Sequence, residues 1–308
     1  MWVTTLLSTL GRRALGGLNE SCTSRAGRPR YAEGVDRAQA YDERLPLPAL
    51  ATRVRTVWVQ RTGPRPVLQR NLPTGGVELQ CPIGAAPRLV GPLTRAKLEI
   101  LPPGLTIVGA RFWPGAASPL LGVPADELVD QLVPFGDVRD KSSDLSARLA
   151  DAPGPDAALH MLQLDLLRRQ ARTPPPDSLV AEAVWRLMPW RPTGIGLLTE
   201  DLSISESQLR RRFLAEVGIG PKTLQRTLRF QGYLALAQAA THGSRVADLA
   251  AEVGYADHAH LGRECLRLTG LTPRELLGDA VDRCGCGHDH AASYGPFLAA
   301  RPHAALTG

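Results

Sequence analysis

One pattern occurs twice in the last third of the chain and constrains the fold more than any other feature. Ile195-Gly-Leu-Leu-Thr-Glu-Asp-Leu202 has the spacing of a short helix, Ser203-Ile-Ser205 interrupts it, and Leu209 and Phe213 resume an apolar face four residues apart. Ser205 stands at the N-cap of the second helix and Gln208 at its third position, the arrangement of a capping box. The design returns downstream. Val246-Ala-Asp-Leu-Ala-Ala-Glu-Val253 reads as a helix with Ala250 at a close helix–helix contact, Gly254-Tyr-Ala256 as a turn, and Asp257 as the cap of a helix that buries Leu261 and Cys265. Two helices joined by a tight turn make a helix-turn-helix, so residues 195–283 are expected to hold two such units.

Residues 221–240 lie between the units and read as one helix opened by Pro221, with a further short helix at 273–277. A rod of ~20 residues spans about 30 Å. Neighbouring major-groove entries on one face of a duplex lie about 34 Å apart. The spacing therefore suits one chain reading two adjacent groove segments. Ser207, Gln208, Arg210 and Arg211 lie off the apolar face of the first unit, and His258, Ala259, Gly262 and Arg263 off that of the second. Arginine can pair bidentately with guanine and glutamine with adenine, and either can bind phosphate. Charge follows the same division. The chain carries 36 basic and 30 acidic side chains, a net +6, yet residues 205–230 hold six basic groups against Glu206 and Glu216, whereas residues 245–283 hold five against seven. Phosphate attraction, with Arg226 and Arg229 as anchors, is thus expected in the first half.

These stretches carry a family resemblance. Ser205-Glu-Ser-Gln-Leu-Arg-Arg-Arg-Phe213, Val217-Gly-Ile-Gly-Pro221, Ala250-Ala-Glu-Val-Gly-Tyr-Ala-Asp257, His260-Leu-Gly-Arg-Glu264 and Gly270-Leu-Thr-Pro-Arg-Glu275 resemble the AraC/XylS family of transcription regulators in order and spacing. The resemblance implies two units on promoter DNA, with Ser207, Arg210 and Arg211 facing bases in the first and His258, Ala259 and Arg263 in the second. It also implies RNA polymerase, a small-molecule effector and a second copy of the chain as partners. The sequence departs from the family at Thr199 and Ser203, where Ala and Gly are usual, and at Leu261 and Cys265, which replace aromatic residues.

Upstream, the period of two in residues 76–81 and the β-branched and aromatic content of 54–60 and 106–112 predict strands. Pro73-Thr-Gly-Gly76, Pro102-Pro-Gly104 and Trp113-Pro-Gly115 predict turns. Helices are expected at 124–133, 155–172 and 178–188. The fold class is thus an α+β N-terminal domain followed by an all-α C-terminal domain with two helix-turn-helix units. Residues 1–30 are expected as a disordered leader, 31–150 as a sensor or dimerisation-like α+β domain, 151–194 as a helical linker region, and 284–308 as a flexible tail. Residues 49–135 also resemble a sensor region found beside this DNA-binding domain, through Trp58, Leu72-Pro-Thr-Gly-Gly-Val-Glu-Leu79, Leu89-Val-Gly-Pro92, Gly109-Ala-Arg-Phe-Trp-Pro-Gly115 and Leu121-Gly-Val-Pro124. That region replaces the usual arabinose-type pocket, so sugar sensing does not follow. Trp58, Phe112 and Trp113 read as core or as the wall of a ligand pocket.

Other chemistry is sparsely supported. Five cysteines form no disulfide framework and fit a reduced, cytoplasmic setting, and no apolar run reaches the ~18 residues of a membrane span. Cys284, Cys286, His288 and His290 alternate along one short segment and could hold Zn. This leaves an alternative, a metal-responsive DNA-binding regulator with that cluster as its sensor. No other cofactor is expected. No nucleophile elbow, phosphate-binding loop or metalloprotease motif is present, and nothing around Cys22 or Cys81 favours a thiolate, so the chain is not read as an enzyme. His260, beside Leu261, reads as a structural histidine.

Overall fold

The computed structural model describes residues 40–137, 145–191, 194–239, 246–277 and 290–299. Its first part is a sheet region. Strands β1 (Ala40–Arg44), β2 (Val54–Arg61), β3 (Val67–Asn71), β4 (Glu78–Pro82), β5 (Arg88–Val90), β6 (Lys97–Leu101), β7 (Thr106–Phe112) and β8 (Leu132–Pro134) pair antiparallel throughout. Six make one sheet in the order β1-β2-β7-β4-β5-β8, and β3 with β6 makes a second. The three strands expected from sequence are β2, β4 and β7, which lie at the centre, where both faces are covered. Helices α1 (Ala117–Leu121), α2 (Leu145–Ala150) and α3 (Pro155–Gln170) pack on one face. Val57, Val59, Leu79, Val108 and Ala110 from the strands meet Leu159, Leu162 and Leu166 of α3 there.

The second part is helical: α4 (Ser178–Arg186), α5 (Ile195–Asp201), α6 (Glu206–Val217), α7 (Pro221–Ala239), α8 (Val246–Glu252), α9 (His258–Thr269), α10 (Pro273–Leu277) and α11 (Ala291–Ala299). The helix expected at residues 178–188 forms as α4, with Asp177 capping it through Leu179 N–H at 2.9 Å and Val180 N–H at 3.2 Å. α6 starts at the anticipated capping box, with Ser205 Oγ accepting from Gln208 N–H at 3.2 Å and Gln208 Oε1 accepting from Ser205 N–H at 3.1 Å. α9 starts at Asp257, whose carboxylate accepts from His260 N–H at 2.6 Å. Gly218 and Gly270 end these helices at φ +84° and +75°, a conformation costly for residues with a Cβ.

Three expectations are corrected. The helix foreseen at 124–133 is a single tight turn, Ala125–Leu128, followed by β8. Asp130 takes φ +56° and accepts hydrogen bonds from Thr94 N–H at 2.8 Å and Thr94 Oγ at 2.6 Å, which turns the chain so that residues 132–134 pair with β5. The stretch foreseen as a linker at 151–194 belongs to the two cores instead: α3 is part of the sheet core and α4 of the helical core. The segment foreseen as a flexible tail contains α11, which buries Ser293, Tyr294 and Phe297 against α7, β1 and β2. Trp190 Nε1 donates to Phe297 O at 2.5 Å.

Beneath α11 the sheet carries charge. β2 and β7 shift register between Val54 and Thr56, so Arg55 has no opposite residue. A bulge of this kind re-aims a side chain, and both Arg55 and Thr56 reach the same polar cluster. Arg111 on β7 pairs with Glu43 on β1 and with Glu78 on β4, the latter at 2.7 Å, and donates to Ser293 Oγ at 2.9 Å. Thr56 Oγ donates to Glu43 at 2.6 Å, and His290 Nδ1 lies 2.9 Å from its other oxygen. Burial alone would raise the Glu43 carboxyl, but Arg111, His290 and Thr56 together hold it well below the usual carboxylate range.

Two predictions follow from these geometries. A carboxylate depressed on folding contributes stability that is present above its unfolded value and lost as pH falls. Thermal melts from pH 7 to pH 4 should therefore show a declining Tm below about pH 5, and Glu43→Gln should flatten that decline while lowering Tm at pH 7. Ser203, in the turn between α5 and α6, takes φ +52°. The left-handed region costs ~1–2 kcal/mol for residues with a Cβ, against ~0.4–1 kcal/mol for glycine's extra freedom when unfolded. Ser203→Gly should raise stability in urea unfolding by about 0.5–1 kcal/mol.

Candidate nucleic-acid interface

In the first unit, Leu198, Leu209, Phe213 and Val217 are buried and fix α5 against α6. Ser205, Ser207, Gln208, Arg210 and Arg211 are all exposed along the N-terminal half of α6. Among the described residues, Arg210 and Arg211 make no hydrogen bond or ion pair, which leaves both guanidinium groups available. The next arginine differs: Arg212 pairs with Asp177, the cap of α4. Ser205 and Gln208 are engaged with each other in the capping box, and Ser207 Oγ lies 3.1 Å from Ser205 Oγ.

The second unit repeats this plan with different partners. Ala250, Val253, Tyr255, Leu261, Cys265 and Leu268 are buried. The turn residue Gly254 takes φ +84°, where the first unit has Ser203. His258, Ala259 and Arg263 are exposed on α9. His260 turns inward, its Nδ1 accepting from Ala256 N–H at 3.3 Å and its ring standing edge-on to Tyr255 at 5.2 Å, so it is structural as its position suggested.

The expected phosphate anchors on α7 are tied to the second unit. Arg226 makes a bidentate pair with Glu264 of α9, at 2.8 and 2.7 Å. Arg229 lies over the Tyr255 ring at 5.7 Å. Arg226 thereby ties the rod to α9, and Arg229 packs on the turn between α8 and α9.

The sheet region grips the C-terminal ends of both exposed helices, a feature that the sequence did not signal. The last turns of a helix leave carbonyls without partners. At α6, Ser118 Oγ donates to Glu216 O at 3.1 Å and to Ala215 O at 3.4 Å, while Gly218 packs on Ala125 and Pro92. At α9, Arg70 donates to Thr269 O and Ala96 N–H to Leu268 O, both at 2.6 Å. The N-terminal halves project from the far ends. Recognition helices place their N-terminal residues on base edges.

Cys284, Cys286 and His288 lie outside the described residues. His290, expected as a fourth metal ligand, is instead drawn to Glu43 beneath α11, because a buried carboxylate needs hydrogen-bond donors. Among the described residues no group of three or more His, Cys, Asp or Glu side chains is placed to hold a metal, and no helix is long and apolar enough to cross a membrane. Cys81 is fully buried in the sheet core, and burial pushes its thiol up, away from the reactive thiolate.

Comparison with known proteins fits this geometry. Residues 198–278 match the family described as helix-turn-helix domain, in its AraC-type form. The chain carries an AraC-type helix-turn-helix domain. Residues 42–134 match a domain of unknown function (DUF6597), so the part in front of the AraC-type domain is not of the arabinose-binding kind. No curated protein matches the sequence. Among solved structures, ToxT from Vibrio cholerae O395 is 10% identical with a TM-score of 0.42, covering 77% of this chain and 96% of that one. A 1.65 Å structure of ToxT from Vibrio cholerae (P21 form) is 11% identical with a TM-score of 0.42, covering 72% and 97%. Wild-type ToxT from Vibrio cholerae strain SCE256, bound to an unsaturated fatty acid, is 10% identical with a TM-score of 0.39, covering 80% and 97%. Likenesses this distant carry nothing of ToxT's chemistry to this chain.

Breaking the Arg226–Glu264 pair should affect folding more than DNA. The pair is partly exposed, so Arg226→Gln should cost about 1–2 kcal/mol of stability. The slope of log affinity against log salt for DNA should stay unchanged, whereas loss of one phosphate contact would reduce it by about 1.

Proposed function

We propose that the chain is a sequence-specific DNA-binding transcription regulator rather than an enzyme. Its two helix-turn-helix units place α6 and α9 in adjacent major-groove segments of promoter DNA. One observation carries this reading: both helices are held at their C-terminal ends by the same sheet region, and both leave their N-terminal turns exposed. Nineteen residues of α7 link the units, a rod of about 28 Å at 1.5 Å per residue. That length fits groove entries about 34 Å apart.

Arg210 and Arg211 read bases in the first segment, since an unpaired guanidinium at a helix start can meet guanine bidentately. His258, Ala259 and Arg263 contact the second. The second unit offers a small side chain, one imidazole and one guanidinium, so the first supplies most of the discrimination. The sheet region senses the signal that sets when this occurs.

The reading is tested by selecting binding sites from random duplexes and titrating the winner at several salt concentrations. A site with two motifs about one helical turn apart is expected. Arg211→Ala should cost about 1–3 kcal/mol on that site and relax the preference at one position. No enriched site, or an unchanged preference in the variant, overturns the proposal.

A further inference from the structure

The ribbon formed by β3 and β6 carries its polar and apolar faces the opposite way round from a sheet that simply meets water. Leu68 pairs with Ile100 and Arg70 with Leu98 on one face, while Gln69 pairs with Glu99 and Asn71 with Lys97 on the other. The polar face turns inward: Gln69 accepts from Gln60 of β2, and Glu99 accepts from Arg88 of β5 at 2.5 Å. The apolar face turns outward, with Leu68 and Leu98 51% exposed and Ile100 71% exposed. Seven large apolar side chains are exposed among the described residues, and three of them stand on this one ribbon. Directly opposite side chains lie about 5 Å apart, so Leu68 and Ile100 form a single patch that Leu98 extends. Exposed apolar residues scattered singly need no explanation, whereas a contiguous group marks a contact.

The charge around the patch has one sign. Residues 61–71 and 94–105 carry five basic side chains and one acid, Glu99, which faces inward. Arg70 is drawn off to Thr269 O. Arg65 and Arg95 are exposed at opposite ends of the ribbon and make no hydrogen bond or ion pair among the described residues. These charges choose between occupants. A second copy of the chain would bring arginines against arginines. Three side chains also offer only on the order of a few hundred Å², short of the ~800 Å² that each partner gives to a stable complex. Membrane-surface contacts draw on Trp or Phe, and this face has neither. An acidic helix with one apolar side meets both features. Each strand has five residues and spans about 17 Å, the length of about 11 helical residues, or three turns.

We infer that the outer face of β3 and β6 docks an acidic amphipathic helix of a partner protein, its apolar stripe on Leu68, Leu98 and Ile100 and its carboxylates on Arg65 and Arg95. The contact is small, so the complex is weak and transient. It lies beside the second helix-turn-helix unit, because Arg70 of β3 and Ala96, one residue before β6, hold the last turn of α9. On the reading that α9 enters DNA, the docked helix stands next to the second groove segment.

The test uses the full chain without DNA. The probe is a labelled amphipathic peptide of about 18 residues, long enough to be helical alone, with leucine on one side and glutamate on the other. Fluorescence anisotropy should show saturable binding, at least tenfold weaker when lysine replaces every glutamate. Ile100→Asp should weaken the glutamate peptide fivefold or more, as should Arg65→Glu with Arg95→Glu, whereas Leu197→Asp, at an exposed apolar site on α5, should leave it unchanged. Absence of saturation overturns the site, as does a lysine peptide that binds equally well or an Ile100→Asp protein that binds like wild type. Two further results assign the face to another occupant and also overturn the proposal: a wild-type dimer in sedimentation that Ile100→Asp makes monomeric, or binding to phosphatidylglycerol vesicles that Ile100→Asp abolishes. Because no readout involves DNA, these failures are distinct from failure of the DNA-binding reading.

Discussion

Four backbone carbonyls fix how the two exposed helices are held against the rest of the protein. Ala215, Glu216, Leu268 and Thr269 end the two exposed helices, and all four accept hydrogen bonds from the sheet region. Unpartnered carbonyls at a helix end are usually satisfied by water or by a local cap. Here the donors come from Ser118, Arg70 and Ala96, residues far away in the chain. The units are thereby set against a common body, and the freedom to tilt that an isolated pair of helix-turn-helix units would have is removed. Removing one of these donors acts first on the geometry of the pair.

The second organising element is the charged layer under α11. Burying Arg111 is tolerable because Glu43, Glu78 and Ser293 satisfy it from three directions. The bulge at Arg55 adds a second cation to the same layer. Its neighbours Gln231 and Ser293 come from the helical part, so this layer is also where the two parts of the chain meet. Apolar packing gives each part its own core; the polar layer gives their junction its register.

The helical part was legible in sequence because its signals are local. Ser205 with Gln208, Asp257 ahead of α9, Pro221 at the start of the rod and the glycines after each helix act within a few residues. Exposure of Arg210 and Arg211 followed from the apolar period. The sheet was only partly legible. β2 and β7 show themselves by composition and β4 by its period of two, but β1, β3, β5, β6 and β8 carry no such local signal and are strands because a partner lies beside them. The tight turn at 125–128 had the acids of a helix start, and tertiary contacts at Thr94 and Gly91 overrode it. Arg226 and Arg55 were invisible for a related reason: a basic residue reads as solvent-facing, and the carboxylate or bulge that turns it inward is distant in sequence or hidden in register. In α11, Gly295 and Pro296 argue against a helix, and burial of Tyr294 and Phe297 prevails.

The position of α11 has a temporal consequence. The sheet, the rod and both helix-turn-helix units precede it in the chain, so a ribosome delivers them first. Until Phe297 has emerged, Arg55 and Arg111 have neither Ser293 nor the aromatic cover of the C-terminal segment. During synthesis the charged layer therefore stays wet and the junction loose. The Arg55 and Arg111 contacts that give the junction its register close last, after the sheet and both helix-turn-helix units have been made.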